Sequence, residues 1–191
     1  MSATITTTTT ALVVFRVGWG FVGGRASRFA DFMPRWDAIG RHVRGLARLA
    51  PPRTIGHNPL GGLMVLAFLA DIAVVIVTGL FAAGEDSHGP LAPFVPRWLG
   101  RVLAEIHEGA ANLLILLIIG HVLGVLIESL LTRENLVRAM WTGRKRLSPQ
   151  AAAALAPSAG MWRAASLAAL VGAVLVLAFA RTDFTALTRP M

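Results

Sequence analysis

Hydrophobic residues in this chain gather into blocks instead of alternating with polar ones. His57-Asn58-Pro59 opens a block that predicts a helix from about Pro59 to Ala82. Asn is a favoured helix cap and Pro suits the first helical position. A further block runs from about Val102 to Leu131, and a final one covers Met161–Ala180. These approach or exceed the roughly 20 apolar residues needed to cross the hydrocarbon of a bilayer. The earliest block, Ala11–Gly24, carries Arg16 and has only 14 residues, too short to span alone. The threonine run before it would lengthen the helix, but Thr is a weak helix former. Between the first two blocks, Trp36–Leu49 has helical spacing. It reads either as an amphipathic helix lying at the membrane interface or as a solvated basic loop.

Composition supports the membrane reading. Hydrophobic residues make up 55% of the 191 positions and charged residues only 15%, where soluble domains carry about 25%. The net charge of +8 comes from 17 Arg and one Lys that sit just beyond the apolar blocks. That is the pattern that orients helices against the cytoplasmic face, so no nucleic-acid partner is expected. Arg25 to Arg53 places one connection inside. Ala83 to Gly100, with Glu85 and Asp86, places the next outside, and Arg133 to Arg146 places the third inside. The expected location is the inner (plasma) membrane, crossed several times. There is no cysteine, which excludes disulfides, iron–sulfur ligands and thiol chemistry. The start lacks the basic segment of a signal peptide.

The candidate chemistry lies in two histidines of the third block. His107 and His121 are 14 residues apart, nearly four full helical turns, so they share a face and stand about 21 Å apart along the axis. Ala111, Leu114, Ile118 and Val125 continue the stripe, and Gly109, Ala110, Gly120 and Gly124 flank it. Imidazole is a common axial ligand of haem iron, and small residues leave room for a flat macrocycle. Two other readings stay open: hydrogen bonding to a neighbouring helix, and a plain Gly-xxx-Gly packing motif. Asp71 lies in mid-helix, where a carboxylate must face the bundle. By depth it pairs with Arg16; the alternative is a proton relay.

Several ordered segments then resemble a known family. They are FRVGWGFVG at Phe15–Gly23, ASRFADF at Ala26–Phe32, GHNPLGGLMVLA at Gly56–Ala67 and TGLF at Thr78–Phe81. GPLA at Gly89–Ala92, HEGAANLL at His107–Leu114 and RENLVRAMWTGRK at Arg133–Lys145 complete the set. Together they make the chain similar to the bacterial cytochrome b561 family, in the branch that includes b-type subunits of nickel–iron hydrogenases. The resemblance implies a four-helix membrane bundle holding two b haems and moving electrons between quinol and a protein partner. It implies haem-iron ligation by His107 and His121.

The family takes its opposing ligands from histidines on its first and second helices, and here the likeness begins at about Ala11. The expected fold is therefore all-α: a transmembrane bundle with an incomplete four-helix core, residues 1–146, a linker at 147–160, and an extra C-terminal transmembrane helix and tail at 161–191. His57, at the end of its helix, is expected to hydrogen-bond at the interface or touch a haem propionate. Expected partners are membrane lipid, quinone and a redox protein such as a c-type cytochrome or a hydrogenase, and a homo-dimer is left open. The reading is an electron-transfer cytochrome rather than a substrate-converting enzyme. The alternatives are a haem-free anchor or scaffold, including a truncated relic, and a ferric reductase.

Overall fold

The computed structural model describes residues 2–24, 27–33, 35–52, 58–84, 88–142 and 160–181. Its helices are α1 (Ser2–Val22), α2 (Phe29–Phe32), α3 (Trp36–Ala47), α4 (Pro59–Phe81), α5 (Arg97–Thr132), α6 (Leu136–Thr142) and α7 (Met161–Arg181). A short 3₁₀ turn, Ala92–Phe94, precedes α5. No strand occurs among the described residues, and the chain is an all-α membrane protein. It divides into two compact units, Met1–Asp31 with Ala156–Met191, and Phe32–Leu155.

In the first unit, α1 runs on through the threonine run that the sequence left unsettled. It packs against α7, with Gly18 facing Leu167 at a separation that leaves little room for a larger residue. Phe29 lies directly on Gly20, stacks edge-on against Phe21 at 5.4 Å, and carries the Arg16 guanidinium 5.4 Å above its ring. The FRVGWGFVG and SRFADF segments are thus two halves of one contact. Arg28 and Asp31 form an ion pair at 3.1 Å.

In the second unit, α4 and α5 are each long and apolar enough to cross a bilayer. Asn58 caps α4 by accepting from Gly61 N–H, and Pro59 follows at the first helical position. The stretch of α5 between Glu108 and Glu128 carries no charge. It spans about 28 Å, close to the thickness of the hydrocarbon. Outside one stripe its large apolar residues are exposed, among them Ile115, Leu116, Ile119 and Leu123, as on a helix solvated by lipid. The loop after α4 folds back on it: Leu91 N–H donates to Leu80 O, and Gly89 N–H to Ala82 O. A Cβ on Gly89 would fall 2.3 Å from Gly79 O, so only glycine permits this approach. This accounts for the TGLF and GPLA segments together.

The helical reading of Trp36–Leu49 holds, since α3 covers most of it. The Arg41 guanidinium donates to Asp37 at 2.9 Å, and that hydrogen bond holds the Asp37 carboxyl below its ordinary 3.8. His42 sits within α3 and is almost wholly buried. After α3, Ala50 N–H reaches Gly45 O and Leu49 N–H reaches Leu46 O, with Leu49 at φ 56°. That turn normally takes glycine in the left-handed position. Leu49 is 71% exposed and has little packing to lose. Leu49→Gly is therefore expected to stabilise the protein by about 1 kcal/mol, read as a later midpoint in denaturant unfolding. An unchanged or earlier midpoint would contradict it.

Candidate functional site

The site is built where α4 and α5 run antiparallel. Three contacts mark their register: Thr78 and Val75 with His107, Phe68 with His121, and Asn58 with Glu128. Phe68, Asp71, Val75 and Thr78 recur at three- and four-residue steps, so they form one stripe of α4. Asp71 and Thr78 are buried polar residues of an otherwise apolar helix. On α5 the matching stripe comprises His107, Ala111, Leu114, Leu117, His121 and Val125, all half-buried. Ile118, expected on this stripe, is 48% exposed, and Leu117 takes its place. Both candidate histidines therefore face α4 and not lipid.

His107 is held by its Nδ1 edge. That nitrogen lies 2.9 Å from Val75 O and 3.3 Å from Thr78 Oγ1. A carbonyl oxygen only accepts, so Nδ1 bears the hydrogen and donates it. In a neutral ring that hydrogen leaves the lone pair on Nε2, the nitrogen by which histidine would then bind metal. His121 differs. Its ring meets the Phe68 ring edge-on at 5.8 Å, and among the described residues it makes no hydrogen bond. On the side of α5 away from the stripe, a Cβ built on Gly109, Gly120 or Gly124 would meet nothing within 4 Å. The donor set, two imidazoles on one helix face, fits haem, while this glycine flank lies on the other side of α5 and does not line the histidine face.

At the far end of the register, Asn58 donates from Nδ2 to Glu128 Oε2. His42 Nε2 lies 3.8 Å from the same oxygen, and Thr132 Oγ1 donates to Glu128 O at 2.7 Å. This cluster joins α3, the cap of α4 and α5. His57 lies outside the described residues, as does most of the Leu147–Gly160 linker. His88 is exposed in the loop between α4 and α5, bridged to Ala83. Asp71 is 6% exposed, and its Oδ2 has no hydrogen-bond partner among the described residues. Its expected partner Arg16 belongs to the other unit, so that pairing stays a proposal.

Sequence reading singled out the two histidines but not the α4 groups that His107 contacts. The available signal was the seven-residue spacing of Asp71 and Thr78, which puts the polar groups of α4 on one face.

Two imidazoles thus share one face of a helix long and apolar enough to cross a membrane. The chain belongs to the prokaryotic cytochrome b561 family, which it matches over residues 3–143. It is similar to the probable Ni/Fe-hydrogenase 1 B-type cytochrome subunit of Escherichia coli (strain K12). The two are 27% identical over 152 residues, covering 70% of this chain and 64% of that protein. The counterpart in Escherichia coli O157:H7 matches to the same extent. The chain thus spans less than two thirds of the length of these curated relatives. No solved structure matches.

Proposed function

We propose that this chain is a membrane electron-transfer subunit that binds haem b through His107 and His121. One observation carries the reading: His107 and His121 share the α4-facing stripe, and His107 is held through Nδ1, which leaves Nε2 for a ligand. Haem iron, cycling between ferric and ferrous, supplies the redox chemistry when bound. The chain orients the imidazoles and, through the apolar faces of α4 and α5, keeps water from them. Two haems, about 21 Å apart along α5, would serve opposite halves of the bilayer. The expected exchange is between membrane quinone and a redox protein. The similar Escherichia coli proteins, described as hydrogenase cytochrome subunits, favour a hydrogenase over a c-type cytochrome. Family membership and the basic connections favour a multi-pass protein of the inner membrane. His57 is assigned to interfacial hydrogen bonding or a propionate contact.

A second reading rests on the histidines themselves. His42 lies beside Glu128 and His88 in an exposed loop, and neither contacts His107 or His121 among the described residues. A haem-free anchor would look the same. Visible spectra of the purified full chain, oxidised and dithionite-reduced, separate the two. Sharp b-type bands are expected; a featureless spectrum after expression with ample haem overturns the proposal.

A further inference from the structure

The TGLF segment at the end of α4 holds more than a helix terminus. Thr78 Oγ1 lies 2.6 Å from Val74 O and 3.3 Å from Val75 O. Its single hydrogen goes to the nearer carbonyl, Val74, so toward His107 the hydroxyl offers only lone pairs. The Nδ1 edge of His107 therefore faces two acceptors, Val75 O and Thr78 Oγ1. The opposite tautomer would set its Nδ1 lone pair against both. The next residue makes this closeness possible. A Cβ on Gly79 would lie 2.8 Å from His107 Cε1 and 3.0 Å from Nδ1, so any side chain there drives the ring off the carbonyl. Gly89 packs against the Gly79 and Leu80 carbonyls from the loop, which backs this last turn of α4 from outside.

We propose that Thr78 and Gly79 are positioning residues for His107. With the Val75 carbonyl they hold its imidazole as the Nδ1–H tautomer and leave Nε2 for a ligand. This rests on the proposed role of His107, yet the tautomer exists before any haem arrives and can be read without it. A ring N–H held by a carbonyl fixes the orientation of a metal-binding histidine and raises its basicity. Thr78 and Gly79 would then act on haem only through His107.

The test uses the full chain with ¹⁵N-labelled histidine in lipid nanodiscs at pH 8, without added haem, with His107→Gln to assign the signals. His107 should show the Nδ1–H form. Gly79→Ala should convert a large share of it to the Nε2–H form that free histidine favours. Thr78→Val should broaden or shift the His107 signals, and Thr78→Ser, which keeps the hydroxyl, should restore them. Unchanged circular dichroism in each variant shows that the helices persist. Should any variant unfold, the wild-type tautomer still decides. An Nε2–H signal for His107 in the unaltered chain overturns the proposal. So do Gly79→Ala and Thr78→Val variants that fold and leave the signals as they were. With haem bound, Thr78→Val should move a midpoint potential and Thr78→Ser should not. Failure to bind haem would defeat the functional reading while leaving the tautomer result standing.

Discussion

Replacing His107 or His121 with Ala is expected to lower the haem bound per chain by about half in each case, and the double substitution should abolish it. Separated by about 21 Å along α5, the two imidazoles are too far apart to serve one iron. Each should therefore carry its own haem, and losses at the two positions should add. Alanine keeps the helix, being its best former, so secondary structure should survive. Haem content measured against protein, with the reduced-minus-oxidised spectrum of each variant, checks the expectation. Equal loss of all haem in both single variants would point to one shared site. No loss in either would remove both residues from the ligand set.

Glu128→Ala is expected to destabilise the protein by about 3 kcal/mol, more than other single changes away from the histidines. The carboxylate accepts from Asn58 and lies 3.8 Å from His42, with only 12% of its side chain exposed. Removing it leaves Asn58 Nδ2 without its acceptor and takes the carboxylate from beside the buried His42 ring, and leaving a buried donor unsatisfied costs about 1–3 kcal/mol. The upper figure is chosen because the lost acceptor is a carboxylate. Glu128→Gln keeps an oxygen for Asn58 and should recover part of the loss. The effect should fall below additivity in Glu128→Ala combined with His42→Ala, since the two groups share one cluster. Unfolding in mixed micelles gives the free energies. A cost below 1 kcal/mol for Glu128→Ala would show that the cluster does not tie α3 to α4 and α5.

Where apolar residues run unbroken, the sequence was a good guide. The reading placed α4, α5 and α7 within a few residues of their ends, because in lipid a segment must satisfy its backbone internally. Asn58-Pro59 marked one boundary, and the chemistry of that cap is local. The start of α1 was not legible, since threonine's weak propensity says nothing about a partner helix, and α7 supplies one. His42 was not singled out within its basic segment. Its burial depends on Glu128, 86 positions later, and a contact that distant leaves no local trace. The histidine stripe was legible from period alone. Its register was not, because a 36-residue helix drifts against any fixed repeat, and so Leu117 stands where Ile118 was expected. Thr78 and Gly79 were noticed as part of a motif, but their work depends on a facing ring on another helix.

The unlike surroundings of the two imidazoles have a consequence for direction. His107 leans its ring N–H on a carbonyl, while His121 rests on the edge of a phenyl ring. An imidazole that donates such a bond pushes more electron density onto the iron it holds and favours the ferric state. An iron at the Glu108 end of α5 would then give up its electron more readily than one at the Glu128 end. Charge entering beside Thr78 would run downhill toward Phe68, so a hydrogen bond between two helices would tilt the whole conduit one way.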